Sequence, residues 1–160
     1  MAHHYGEYVA LEPPTPKTKK TIMVSGGFDP IHFGHCRMIQ EAAKYGDLIV
    51  VANSDGWLRR KKGFAFMPFE ERAEIISYMK GVHTVIKADD SDGTICETLR
   101  KYRPDIFANG GDRTAGNTPE MKVCEQLGIT MLWGVGGGKI QSSSDLVANA
   151  QVQEEAFAVE

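Results

Sequence analysis

Between Thr21 and Ala52 the chain places two short, unbroken apolar runs around one stretch of helical period, and few folds accept that arrangement. Thr21-Ile22-Met23-Val24-Ser25 stops at Gly26-Gly27, the pattern of a strand buried on both faces that enters a tight turn. From Gly34 to Tyr45, residues Met38, Ile39, Ala42 and Ala43 fall on one helix face, and Gly46 closes the helix. Asp47-Leu48-Ile49-Val50-Val51-Ala52 is a second buried strand. Strand, helix and strand in so short a span make a βαβ unit, with parallel strands and a right-handed crossover.

The alternation continues. It predicts helices over 68–78, 92–102 and 119–127, strands over 83–86, 105–108 and 129–133, and a last helix starting in Ser142-Ser143-Ser144-Asp145. Such a chain folds as a three-layer α/β sheet, parallel and Rossmann-like, with helices on both faces and ligands beyond the carboxyl ends of the strands. Pro13, Pro14 and Pro16, followed by Lys17, Lys19 and Lys20, set residues 1–20 apart as a flexible leader. Residues 21–150 form the folded domain and 151–160 a C-terminal tail. His3 and His4 in the leader read as a tag remnant or as incidental.

Composition narrows the function classes. A net charge of −3 argues against a general nucleic-acid binder, which carries a basic excess, but leaves a locally basic site open. Cys36, Cys96 and Cys124 are odd in number and far apart, so no C-x-x-C zinc or redox motif exists. A reducing, cytoplasmic setting is the simplest reading. No apolar run approaches the ~18 residues of a membrane span.

The chemistry concentrates at the first strand–helix junction, Gly26-Gly27-Phe28-Asp29-Pro30-Ile31-His32-Phe33-Gly34-His35. Gly26 and Gly27 let backbone come close to a ligand, and Gly34 removes a side chain between two imidazoles. Helix N-termini present unpaired N–H groups and a positive dipole end, so His32 and His35 there can donate to phosphate oxygens. With five His and 17 Gly in the chain, H-x-G-H is expected by chance only about 0.02 times. The competing reading is one capping His and one packed in the core.

This stretch resembles the first motif of the nucleotidyltransferase superfamily of adenylyl- and cytidylyltransferases, and the resemblance runs from about Thr21 to Val147. Asn53-Ser54-Asp55, Arg59-Arg60-Lys61-Lys62-Gly63, Pro68-Phe69-Glu70-Glu71-Arg72, Gly110-Gly111-Asp112 and Ser142-Ser143-Ser144 fall where such enzymes keep matching segments. The branch it is most similar to contains heptose-1-phosphate adenylyltransferase and glycerol-3-phosphate cytidylyltransferase. The resemblance implies transfer of a nucleotidyl group from ATP or CTP to a phosphorylated sugar or polyol, with release of pyrophosphate, Mg²⁺ as cofactor and a homodimer. ATP is favoured, because an Arg that often precedes the serine motif in the cytidylyltransferase branch is replaced here by Gly134-Val135-Gly136-Gly137-Gly138-Lys139. Lys139 substitutes for it, or the contact is missing.

In that scheme His32 and His35 stabilise the α-phosphate, and Lys61 or Lys62 holds the β- and γ-phosphates. Gly26, Gly27, Phe28, Asp29, Gly34, Gly110 and Asp112 contact nucleotide, with Asp112 the polar partner of base or ribose. Ser142, Ser143 and Ser144 form a second anion seat facing the first. Asp29 holds Mg²⁺ through water, orients the incoming phosphate, or simply caps a turn. Arg72 stabilises its own helix or touches phosphate. Gly63 and the aromatic residues after it favour a mobile flap over a helix for Arg59 to Lys62. Two other classes stay open: a nucleotide sensor without turnover, and an aminoacyl-tRNA synthetase fragment, which the chain length and net charge disfavour.

Overall fold

The computed structural model describes residues 19–110, 118–138 and 141–159, with side chains as far as 156. The expected leader up to residue 18, Gly111, Asp112 and Lys139 lie outside the described residues. Five parallel strands, β1 (Thr21–Gly26), β2 (Asp47–Ala52), β3 (Val82–Lys87), β4 (Ile106–Gly110) and β5 (Thr130–Val135), pair in the order β3-β2-β1-β4-β5. The helices are α1 (Phe33–Ala42, extended by a 3₁₀ turn over Ala43–Tyr45), α2 (Asp55–Lys62), α3 (Phe69–Ser77), α4 (Cys96–Tyr102), α5 (Pro119–Leu127) and α6 (Ser143–Val159). The expected three-layer α/β architecture is the one present.

Two apolar clusters explain the layers. Ile22 and Val24 of β1 pack with Leu48, Val50, Ile39 of α1 and Phe69 and Ile76 of α3. Met23 between them points the other way, to Ile49, Val51, Leu99 of α4 and Val123 of α5. The period-two alternation lies hidden inside runs that read as uniformly apolar, because both faces of a central parallel strand are covered. Each such buried side chain contributes about 1.5–3 kcal/mol relative to exposure, so packing holds these short helices more than propensity does.

Three boundaries differ from expectation. Arg59 to Lys62 are the last turn of helix α2, which Ser54 caps by accepting from the Trp57 N–H and Gly63 closes at φ +90°. Its cations sit at the negative pole of the helix dipole, a favourable place. Only Leu58 of α2 is buried, so no apolar stripe marks the helix in sequence. Helix α4 starts at Cys96 rather than 92, because the Asp92 carboxylate accepts from both the N–H and the hydroxyl of Thr94 and holds a local turn instead. The expected tail from 151 is helical, since α6 runs through that position to Val159. No helix among the described residues is long and apolar enough to cross a membrane.

The chain walks from β1 through β2 to β3 on one side, then crosses to β4 and β5 on the other. Strand order therefore reverses between β1 and β4, and the crevice at their carboxyl ends is where a sheet of this kind takes a ligand.

Candidate active site

A cavity of about 650 Å³ opens at that crevice. Its floor is Ser25 to Phe28 from the end of β1 and Phe107 to Gly110 from the end of β4. His32 and His35 line one wall, Trp57 and Lys61 of α2 another, and Ser142, Ser143 and Ser144 at the start of α6 a third.

The imidazole pair is built by the backbone around it. His32 is the N-cap of α1, and its Nδ1 accepts from the Gly34 N–H at 3.1 Å. The His35 Nδ1 accepts from the His32 N–H at 3.1 Å. Each Nδ1 thus serves as an acceptor, so the proton of each neutral ring sits on Nε2. The rings stack with centroids 3.7 Å apart at 20°. Phe28, buried and at φ +52°, sets its ring edge against His35 at 4.9 Å. Burial behind that ring, followed by the neighbouring His32 and Lys62, lowers the His35 pKa to about 3. His35 is therefore a neutral donor throughout the physiological range.

A stability signature follows. The unfolded imidazole titrates near 6.5 and the folded one near 3, so between those values the unfolded chain binds a proton that the native state refuses. Stability from this group is complete above pH 6.5 and falls as pH drops through the window, by about 1.4 kcal/mol per pH unit. Urea unfolding from pH 4 to 7 is expected to show a shallower pH slope for His35→Asn than for the wild type. Equal slopes would contradict the buried neutral imidazole.

Gly26 and Gly27 line the cavity, but a Cβ there would point inward. At Gly26 it would come within 3.3 Å of the Phe28 ring, and at Gly27 within 3.0 Å of Leu58 Cδ2. These glycines make room for the protein's own packing. Gly34 and Gly110 also line the cavity.

Three expected site residues do not face it. Asp29 is 1% exposed, and its carboxylate oxygens accept from the backbone N–H groups of Phe66 and Met67 at 2.7 and 2.6 Å. It straps the 63–68 segment to the first junction, and its burial outside the cavity lining does not suit a direct cation ligand. Lys62 donates from Nζ to the Asp29 carbonyl at 2.8 Å, and burial lowers its pKa. Lys61 instead enters the cavity wall, its ammonium 4.5 Å from the centre of the Trp57 ring. Of the two lysines left open by the sequence, Lys61 is the one that lines the cavity.

Arg72 is completely buried, with four of its five N–H donors paired. It donates to the carbonyls of Met67 (2.9 Å), Gly27 (2.7 Å) and Asn53 (2.8 Å), and pairs with Asp55 at 2.6 Å. Its complete burial outside the cavity lining keeps the guanidinium from a phosphate in the cavity. Its role is to tie the junctions after β1 and β2 to α3, which removes the phosphate-contact reading.

The serines divide their work. The Ser143 hydroxyl donates to the Pro30 carbonyl at 2.6 Å and fastens the start of α6 to the His32 loop. Ser142 Oγ accepts from the Asp145 N–H at 3.3 Å as a cap, and Ser144 is exposed. The helix start and the imidazole pair share one cavity.

Sequence reasoning missed Trp57 and Asp90. Trp57 and Lys61 stand four apart, a spacing that places them on one face once α2 is known to be a helix. Asp90 is 3% exposed and accepts from Asn53 Nδ2, Ser54 N and Ser54 Oγ at 3.1, 2.8 and 2.6 Å. Its partners are 36 and 37 residues away, so no local pattern announces it.

The cytidylyltransferase-like family profile matches residues 23–133. The bifunctional protein HldE of Syntrophotalea carbinolica is 34% identical over 141 residues, covering 79% of this chain and 28% of that protein. An FAD synthase from Ferroglobus placidus is 35% identical over 94 residues, covering 59% of this chain and 60% of that one. The crystal structure of a lipopolysaccharide core biosynthesis protein from Thermoplasma volcanium superposes with a TM-score of 0.61 at 28% identity, covering 72% of this chain and 93% of the other. The chain spans about a quarter of the length of the bifunctional relatives it matches. With the profile covering most of its strands and the imidazole pair seated at the switch point, the chain belongs to the cytidylyltransferase-like family of nucleotidyltransferases.

Proposed function

We propose that this domain transfers a nucleotidyl group from a nucleoside triphosphate, ATP in preference to CTP, to a phosphorylated sugar or polyol. An oxygen of the acceptor's phosphate bonds to the α-phosphorus, the bond from that phosphorus to the bridging oxygen breaks, and pyrophosphate leaves with the electron pair. The observation that supports this most directly is the placement of two Nε2–H donors, an ammonium and a helix N-terminus around one cavity. Phosphoryl chemistry of this kind asks a protein mainly for positioning and charge stabilisation, and no covalent nucleophile is needed.

In this reading His32 and His35 donate to the α-phosphate oxygens, where negative charge builds up in the transition state. Lys61 meets the β- and γ-phosphates, preorganised by the Trp57 face. The start of α6 receives the remaining phosphate charge. Among the described residues no cluster of three or more His, Cys, Asp or Glu could hold a metal ion, and Asp29 is already committed. Mg²⁺, if it arrives with the nucleotide, would neutralise phosphate charge there, and no step here is routed through it. An adenine nucleotide agrees with the FAD synthase likeness, and a sugar-phosphate acceptor with the lipopolysaccharide-core neighbour.

Pyrophosphate release measured with ATP and CTP against sugar phosphates and polyol phosphates tests the proposal. Turnover with at least one pair is expected; nucleotide binding without pyrophosphate release under any acceptor would leave a sensor instead. Lys61→Met is expected to raise the KM for nucleotide by about tenfold or more, the worth of a charge-assisted contact. Lys62→Met, outside the cavity wall, is expected to change it less. The reverse order would reassign the phosphate ligand.

A further inference from the structure

Helix α2 carries Trp57 and Lys61 into the cavity, yet little apolar burial holds it there. Of its eight residues only Leu58 is buried, and four consecutive cations end it. Polar contacts hold it instead: Asp55 pairs with Arg72, Lys62 reaches the Asp29 carbonyl, and the others converge on the turn that follows β3. Asp90 and Gly93 close that turn, with the Gly93 N–H donating to the Asp90 carbonyl at 2.9 Å. Asp90 receives three hydrogen bonds on its carboxylate from Asn53 and Ser54, the residues that lead into α2. Its carbonyl also accepts from Arg60 Nη2 at 3.0 Å. Further along the turn, the Gly93 carbonyl accepts from the indole Trp57 Nε1 at 3.2 Å.

We infer that Asp90 is a positioning residue that sets α2 and thereby places Lys61 and Trp57 against the nucleotide's phosphates. The inference rests on the proposed function for what Lys61 binds, but not for the docking itself. A buried carboxylate facing three donors is costly to form unless each is satisfied, and here they are. Two oxygens thus fix three groups at the helix start, and the turn's two carbonyls fix Arg60 and Trp57 further along. The carboxylate also sits at the N-terminal end of α2, the pole that favours negative charge. Asp90 itself does not line the cavity, so it acts through the helix and not by touching substrate.

The experiment is a double-mutant cycle on Asp90→Ala and Lys61→Met in the full chain, read as ATP dissociation constant by calorimetry and as KM and kcat of pyrophosphate release. The indole N–H signals of Trp57 and Trp133 are followed alongside by NMR. Asp90→Ala is expected to weaken ATP binding by about tenfold, with kcat changed less than about threefold. In the Lys61→Met background the same substitution should change ATP binding by less than twofold. The Trp57 indole signal should move and exchange faster while Trp133 stays in place. Asp90→Asn, which keeps the side chain's size but offers one oxygen in place of two and leaves the Ser54 cap of α2 intact, should give the same pattern more weakly, and carries the test if Asp90→Ala does not fold. Equal effects of Asp90→Ala with and without Lys61, or an unmoved Trp57 signal, would overturn the inference. Absence of pyrophosphate release in the wild type would instead overturn the proposed activity, and the indole signal would still decide the role of Asp90.

Discussion

Replacing either imidazole at the first junction is expected to lower kcat by about 10²–10³-fold while leaving the KM for nucleotide within a few fold. The reason lies in how the rings are held. Each Nδ1 is occupied by a backbone N–H, at 3.1 Å in both cases, so each ring is fixed in orientation and tautomer before any ligand arrives. Donors fixed in advance need no reorganisation when charge develops on an α-phosphate, and that is where such groups contribute most. His32 has a second task as N-cap of α1, so His32→Ala would mix lost catalysis with a cap loss of about 0.5–2 kcal/mol. His32→Asn separates the two. Asparagine caps well but is too short to set a donor where Nε2 now lies, so its melting temperature should stay near wild type while kcat still collapses. A pair that acts as a unit should also be non-additive, the double variant costing little more than the worse single one. If the whole loss appeared in KM with kcat intact, the rings would be ground-state ligands and the proposed role would fail.

Arg72→Met is expected to destabilise the fold by about 3–5 kcal/mol, the usual consequence of removing one partner of a buried ion pair. For a chain of this length that is a fall in melting temperature on the order of 10 °C. The guanidinium is wholly buried and satisfies three carbonyls from separate segments as well as Asp55. Methionine fills most of the volume but leaves all four acceptors without that donor. Arg72→Lys keeps the charge and offers a single ammonium, which cannot reach Met67, Gly27 and Asn53 together, so it should fall between. Differential scanning calorimetry on the three proteins checks the order. A shift below about 2 °C for Arg72→Met would mean that the buried network is not what holds the two junctions. Activity should fall with stability in these variants, because Gly27 and Asn53 sit in the same loops that line the cavity.

How much of this was legible beforehand depends on where the partner of each group lies. The His pair, the strands and α5 were readable because their determinants are local: apolar runs, a cap, a Pro at the first helical turn. Helix α2 was not, since four cations and a lone buried Leu58 mask any stripe. Asp29 and Arg72 are a different case. Their positions in the motif were visible, but Asp29 meets Phe66 and Met67, and Arg72 meets Gly27 and Asn53, only after the chain has folded back on itself. Both neighbour cavity-lining residues in the chain or in space, yet both are buried and neither lines the cavity.

The sequence by itself determined the βαβ alternation, the parallel sheet and the imidazole pair at a helix start, because each follows from patterns within about a dozen residues. Tertiary structure decided the rest. Strand order placed the reversal between β1 and β4, and so brought the end of β4, α2 and the start of α6 around one cavity. It chose Lys61 over Lys62 for the wall, turned Asp29 and Arg72 into braces, and revealed Asp90. The physical reason is that a polar side chain's role is fixed by which donors and acceptors surround it, and for Asp29, Arg72 and Asp90 most of those come from segments 17 to 45 residues away.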